Sequence, residues 1–324
     1  MRAVRFDRTG GPEVLQLQEV PTPAPGPGEI LIRHEAIGVN FIDTYHRTGL
    51  YPLPLPSGLG QEGAGVVEAL GEGVTRFKVG DRAAYAMGTP GSYADYKAVA
   101  GTRAVRVPDG IDARTAAAVL LKGMTAEFLL RRACPLAPGQ VVLIHAAAGG
   151  VGQLLTQWAK AIGATVIATV GSPEKAEVAR RLGADHLILY REQDVAAEVR
   201  RITDGAGVAV AYDAVGKDTF EGTLASLARR GLFISFGGAS GPPPPVEALR
   251  LMRAGSLFFT RPALADYVAT TEELDASAAA VFEMVGSGRI RSEIGQTFPL
   301  IAAAKAHEAL EGRHTQGATL LTLE

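Results

Sequence analysis

Cysteine is almost missing from this chain: Cys134 stands alone among 324 residues. A disulfide within the chain is thereby excluded, and so is a cysteine-rich structural zinc site. The lone thiol, in RRACPLAPG, reads as an ordinary buried or half-exposed group between a helix and a strand. No helix N-terminus or cationic pocket can be argued for it. Long apolar runs are missing too, so nothing reads as a bilayer-spanning helix. The opening MRAVRFDRTGG lacks the apolar core of a secretory signal, and cytoplasmic residence is expected. Excess charge is also absent. A net charge of -2 with no run of one sign argues against a general nucleic-acid or anionic-membrane binder. What is present is 47% apolar and 20% charged residues, the composition of a globular protein with a substantial core. The length predicts two domains.

The first part, to about residue 110, reads as short strands with Gly/Pro punctuation. AVRF, VLQLQEV, EILIRHEAIGV, GAGVVEAL, DRAAYA and YADYKAV are the candidates, and one short helix fits FIDTYHRTG. PTPAPGPG at 21–28 is a turn-rich connector. Near Asp112 the texture changes: TAAAVLLKGMTAEFLLRR has helix formers and apolar residues on a helical period. Strands VVLIH, TVIATV, HLILY, VAVAYD, GLFISFG and SLFFT then alternate with helices GGVGQLLTQWAKAIG, PEKAEVARRLG, DVAAEVRRIT, TFEGTLASLARR and VEALRLMRA. Short apolar strands alternating with helices predict an α/β fold, a doubly wound parallel sheet covered on both faces. Two helices around 272–286 and 301–311 and a last strand, ATLLTL, are expected to return to the first domain.

HAAAGGVG, residues 145–152, joins the first of these parallel strands to its helix. From Ala147 it follows G-x-G-x-x-G with alanine in first place. Gly149 would let the backbone approach a pyrophosphate, and Gly152 would let the helix pack closely on the strand. Gly150 and Val151 then open a helix whose N-terminus offers N–H groups and partial positive charge to phosphates. The alternative is a packing turn without ligand. The pattern follows a strand and opens a βαβ series, which is the context a dinucleotide site requires. An enzyme preferring NAD usually carries an acid at the end of the second strand. Here TVIATV ends in Gly171 and Ser172, with Lys175 just beyond. A hydroxyl and an ammonium suit a 2′-phosphate, so NADPH is expected as the cofactor. Glu174 is assigned to the helix N-terminus.

Four stretches together carry a resemblance: GVNFIDTYHRTGLYPLPLPSGLGQEGAG, LLKGMTAEFLLRR, HAAAGGVGQLLTQWAK and HTQGATLL. Over nearly the whole chain the sequence resembles the zeta-crystallin-like NADPH:quinone oxidoreductases, a zinc-free branch of the medium-chain dehydrogenase/reductase superfamily. The resemblance implies a GroES-like, β-rich catalytic domain from residues 1–118 and 262–324, with a Rossmann domain at 119–261 between them. The superfamily's alcohol dehydrogenases hold zinc through a Cys and a His where this chain has Asn40 and Gln61. Amides are poor zinc ligands. His34, His46, His145, His186, His307 and His314 show no close ligand pairing, and His46 is given a surface or structural role. No metal is expected.

Without a metal, alcohol oxidation lacks its usual way to remove the hydroxyl proton. Tyr93 and Lys97 match Y-x-x-x-K, but in a strand-like segment before the dinucleotide loop, so the match reads as coincidence. A quinone needs less help: it is electron-poor, and positioning plus a few hydrogen-bond donors can suffice. Asn40, Tyr45 and Tyr51 are the candidate catalytic residues. Their plainer roles would be a helix N-cap for Asn40 and packing for the tyrosines, and Asp43 would orient its neighbours. The resemblance further implies coenzyme contacts at Asn40 and at Thr125, a 2′-phosphate contact at Tyr190, and contacts at Phe236, Gly237, Phe259, Thr260 and Arg313. It also implies a homodimer joined through GSLFF. The expected function is NADPH-dependent quinone reduction by direct electron or hydride transfer, without metal or flavin. The alternatives are reduction of an enone or alkenal double bond, or a non-catalytic NADPH-binding structural or RNA-associated protein.

Overall fold

The computed structural model describes residues 1–323. It divides into two compact units, one made of 1–124 and 268–324, the other of 125–267. The crossings thus fall at 124/125 and 267/268, against the 118/119 and 261/262 read from sequence.

In chain order the first unit opens with β1 (Arg2–Phe6), β2 (Gln16–Glu19), β3 (Glu29–Val39), α1 (Phe41–Thr48) and β4 (Ser57–Gly58). β5 (Glu62–Leu70), β6 (Arg82–Ala86), β7 (Tyr96–Ala100) and β8 (Ala104–Arg106) follow, and α2 (Ala113–Phe128) spans the crossing. The second unit contains β9 (Val141–Ile144), α3 (Gly150–Ile162), β10 (Thr165–Val170), α4 (Pro173–Arg181), β11 (His186–Leu189), α5 (Val195–Ile202) and β12 (Val208–Asp213). α6 (Phe220–Ser226), β13 (Leu227–Ser235), α7 (Ala248–Arg253), β14 (Phe258–Thr260) and α8 (Leu264–Tyr267) complete it. The first unit resumes with α9 (Thr271–Gly286), β15 (Ile294–Pro299), α10 (Ala303–Glu311) and β16 (Ala318–Thr322).

The first unit is built on a seven-stranded sheet in which β15-β16-β3-β5-β6-β8 are neighbours in that order and β7 also pairs with β3. β16 runs antiparallel to β3, with Thr319 opposite Val39, so the chain's end lies beside the strand that leads into α1. The side chains of β3 alternate between the core and the outside over 33–36, as a half-buried strand must.

The second unit carries one sheet of order β11-β10-β9-β12-β13-β14, all parallel. This is the Rossmann order, with its reversal at β9/β12. β10 and β12 are buried almost throughout, which is why their sequences are continuous apolar runs rather than alternating ones. Leu143, Ile167, Ala211 and Phe233 of the four inner strands meet Phe220 of α6 in the core.

At one junction the element type differs from the sequence reading. Residues 227–230, expected as the end of a helix, belong to β13, which starts at Leu227. The Arg200 guanidinium of α5 donates to the carbonyls of Ala225 and Leu227 at 2.8 and 2.7 Å, so a side chain distant in sequence ends α6. Short strands β4, β8 and β15 carry no clear local signal in the sequence; β15 alternates half-buried and exposed residues at the sheet edge.

Candidate functional site

In the second unit β9 ends at Ile144 and the chain turns through Ala146, which has a left-handed φ of 52°. The Ala146 carbonyl accepts the Gly149 N–H at 2.9 Å, and Gly149 becomes the N-cap of α3. Helix geometry leaves the amides of Gly150, Val151 and Gly152 without intrahelical partners. A Cβ on Gly152 would fall onto the Ala146 carbonyl oxygen, so only glycine lets helix and loop approach this closely. At the next strand end Ser172 caps α4 and accepts the Lys175 N–H at 3.4 Å. A Cβ on Gly171 would lie 2.7 Å from the Tyr190 hydroxyl. Gly171, Ser172, Lys175 and Tyr190 therefore gather at the tip of β10. The exposed Glu174 carboxylate is held below its usual range by a hydrogen bond from the Ser172 hydroxyl, which fits its helix-terminal assignment.

Phe236 follows β13 and donates its N–H to the Asp213 carbonyl at 2.8 Å. Arg261, which sequence reasoning passed over, donates to the Gly237 carbonyl at 2.9 Å and the Ser235 hydroxyl at 3.0 Å. The Phe259 ring packs against Phe233 and Phe220 in the core, at 5.2 and 6.3 Å between centroids. That ring is committed to packing, which leaves backbone atoms of Phe259 as its available contacts. Thr260 ends β14, and Thr125 is buried within α2. Arg313, in the first unit, is exposed with a φ of 59° just after α10.

The first unit holds a dense polar cluster around the start of α1. Asn40 sits at the N-cap, and its N–H donates to the Asp43 carboxylate at 2.9 Å. Its side-chain amide donates to Glu62 at 2.8 Å, and Glu62 also takes the Leu121 N–H at 2.7 Å and the Lys122 ammonium at 2.9 Å. Asp43 is fully buried, and burial pushes its carboxyl up to about 7 against the pull of the Asn40 and Tyr93 hydrogen bonds. Tyr93 donates to Asp43 at 2.9 Å and meets His307 at 3.0 Å. Burial, with Arg47 alongside, lowers His307 to about 3. Asp43 thus does orient its neighbours. Tyr93 and Lys97 do not act as a pair: the Lys97 ammonium donates instead to the Thr89 carbonyl at 2.6 Å.

Tyr45 is buried and meets the exposed Tyr51 edge-on, 5.2 Å between ring centroids. Of the two roles expected for His46, surface or structural, its burial and hydrogen bonds bear out the structural one. His46 is buried, its Nδ1 lies 3.2 Å from the Tyr51 carbonyl oxygen, and its Nε2 lies 2.7 Å from the Gln61 amide nitrogen. The i, i+5 return of the chain after α1 places it there, a spacing too irregular to signal a site from sequence.

Comparison with known proteins decides the family. Residues 26–109 match the alcohol dehydrogenase GroES-like domain, and residues 150–282 match the zinc-binding dehydrogenase family. A quinone oxidoreductase of Pseudomonas aeruginosa is 52% identical, with 99% of each chain covered. The chain belongs to the quinone oxidoreductase family. Within the family, the crystal structure of Escherichia coli quinone oxidoreductase complexed with NADPH superimposes with a TM-score of 0.97 at 46% identity, over 99% of this chain and 100% of that one. A 2-haloacrylate reductase from Burkholderia sp. is 44% identical over 98% of both chains.

For a zinc ion, which one matched family name implies, no three His, Cys, Asp or Glu side chains stand together among the described residues. Asn40 and Gln61 offer only neutral amide oxygens, and the His46 imidazole beside them is engaged by the Gln61 amide nitrogen and the Tyr51 carbonyl. The carboxylate of Glu62 is taken by Lys122 and the Leu121 amide. Zinc prefers thiolate, imidazole and free carboxylate, so this donor set does not fit it. NADPH does fit the second unit, where Gly152 lets loop and helix approach closely before α3 and Ser172, Lys175 and Tyr190 gather at the β10 tip.

Proposed function

We propose that this protein reduces quinones with NADPH as electron donor, without metal or flavin. The observation that carries the reading is the tip of β10. A capping serine, a first-turn lysine and the Tyr190 hydroxyl gather there around Gly171, the groups a coenzyme 2′-phosphate would use. Gly149, Gly150, Val151 and Gly152 would hold the diphosphate through backbone amides. Thr125, Phe236, Gly237, Phe259, Thr260 and Arg313 are proposed as further coenzyme contacts, Phe259 through its backbone. When bound, NADPH supplies a hydride equivalent; the quinone takes it with one proton from solvent to give the hydroquinone.

The chain's own part is to place hydrogen-bond donors where negative charge develops on the quinone oxygen. Tyr45 and Tyr51 are the proposed donors. Asn40, whose side-chain amide donates to Glu62, is the third residue proposed for the site. The full-length likeness to named quinone oxidoreductases supports the acceptor class. A second reading, reduction of an activated carbon–carbon double bond, draws support from the 44% identical 2-haloacrylate reductase. An acceptor screen following NADPH absorbance separates the two. Turnover of simple benzo- or naphthoquinones is expected; rapid consumption with 2-haloacrylate or an enone, and none with any quinone, would reverse the order.

We further propose a cytoplasmic homodimer joined at the edge of the parallel sheet. β14 pairs only with β13, and Phe258 on it is 61% exposed. An apolar open edge is otherwise an aggregation hazard. Among the described residues no helix is long and apolar enough to cross a membrane.

A further inference from the structure

His145, the first residue of the HAAAGGVG stretch, is only 1% exposed and lies where three elements of the second unit meet. Its Nδ1 is 2.9 Å from the Thr169 hydroxyl of β10, and its Nε2 is 2.8 Å from the Thr223 hydroxyl of α6. Proton positions follow from the partners. The Thr223 hydroxyl has two acceptors besides the ring, the Thr219 carbonyl at 2.7 Å and the Asp213 carboxylate at 3.4 Å; with its single proton on either, its oxygen accepts from His145 Nε2–H. Nδ1 is then the bare nitrogen and accepts from Thr169. Burial lowers the His145 pKa and keeps this neutral form. Behind it, Asp213 at the end of β12 accepts from the Thr219 hydroxyl at 2.7 Å and the Val215 N–H at 2.7 Å.

The same histidine is anchored through its backbone, with its N–H donating to the Tyr212 carbonyl at 3.0 Å. Two residues on, the Ala147 N–H donates to the Thr169 carbonyl at 3.2 Å. Between these two anchors sits Ala146 in its left-handed conformation. For a residue with a Cβ that conformation costs about 1–2 kcal/mol, and it persists only where the surroundings hold it. The Ala146 carbonyl is the group on which Gly149 and Gly152 rest. The imidazole therefore ties the strand end, the next strand and α6 together at the one strained residue that shapes the turn.

We propose that His145 is a positioning residue for the coenzyme loop: bridging Thr169 and Thr223 as a neutral imidazole, it holds Ala146 left-handed and so sets how well the loop takes the coenzyme diphosphate. The proposal rests on the NADPH reading and touches the coenzyme only through the loop. It assigns His145 an effect on coenzyme affinity and none on the transfer step.

The test is a fluorescence titration of NADPH against wild type, His145→Ala, His145→Gln and Thr169→Val, with melting temperatures recorded for each. Gln offers one donor and one acceptor and can restore part of the bridge. Thr169→Val deletes only the hydroxyl that His145 accepts from, and it decides the matter if His145→Ala does not fold. The expected dissociation constants are roughly tenfold above wild type for Ala, within about threefold for Gln, and between these for Val. Steady-state kinetics are expected to show KM for NADPH rising in step while kcat stays within about twofold. A folded His145→Ala or Thr169→Val that binds NADPH as wild type does, even with a lower melting temperature, would overturn the proposal and leave a purely structural histidine. Wild type that fails to bind NADPH would instead overturn the coenzyme reading beneath it.

Discussion

At the scale of single residues, the choice between the two nicotinamide coenzymes turns on Lys175. It occupies the first turn of α4, three residues after the Ser172 cap, and no carboxylate ends β10 itself. Glu174, next to Lys175 in the first turn, is exposed and tied to Ser172. An ammonium beside a 2′-phosphate makes a charge-assisted contact worth about 1.5–3 kcal/mol, whereas a ribose hydroxyl gains little from it. Lys175→Ala is expected to raise KM for NADPH about tenfold or more and KM for NADH less than about twofold, with kcat for either little changed. Equal effects on both coenzymes in parallel kinetics would remove the 2′-phosphate assignment.

At the scale of elements, strands and helices were legible wherever local pattern and tertiary demand agreed. TVIATV and VAVAYD are continuous apolar runs, and both are inner strands of the parallel sheet with the bounds read from sequence. EILIRHEAIGV is likewise β3 from end to end. The α6–β13 junction failed because its stop signal is not local: TFEGTLASLARR reads as one helix, and the Arg200 side chain that ends it comes from α5. Of the site, the glycine loop was legible because its residue types leave few other uses. The linkage of Asn40, Glu62 and Lys122 was not, since it joins residues up to 82 positions apart through one buried carboxylate. His145 was invisible for the same reason: its partners, Thr169 and Thr223, lie 24 and 78 residues away. Arg200 also gives the element scale its test. Its guanidinium donates to the carbonyls of Gly205, Ala225 and Leu227 at 2.9, 2.8 and 2.7 Å. Arg200→Met keeps most of the stem and removes all three bonds. A loss of about 2 kcal/mol is expected, read as a lower urea midpoint with unchanged slope. An unchanged midpoint would mean that α6 ends there for reasons of packing alone.

At the scale of the whole molecule, the proposed dimer follows from what the parallel sheet leaves open. β14 has three residues and a partner on one side only, so its outer N–H and C=O groups face away from the sheet. Phe258 lies on it 61% exposed, and Leu249 and Met252 of the preceding α7 are 58% and 57% exposed. No charged residue or proline lies within β14 to blunt the edge, the usual protection for a strand left in solvent. A two-fold axis at the edge would pair β14 with its own copy, satisfy those backbone groups and cover the apolar side chains at once. Phe258→Glu places two like charges close to that axis and removes the largest apolar side chain there. The dimer dissociation constant is expected to rise at least about a hundredfold, enough for sedimentation velocity at micromolar concentration to show a monomer. The backbone pairing is untouched by the substitution, so a variant that stays dimeric would place the interface elsewhere, and a wild type that is monomeric at the same concentration would end the edge-pairing proposal.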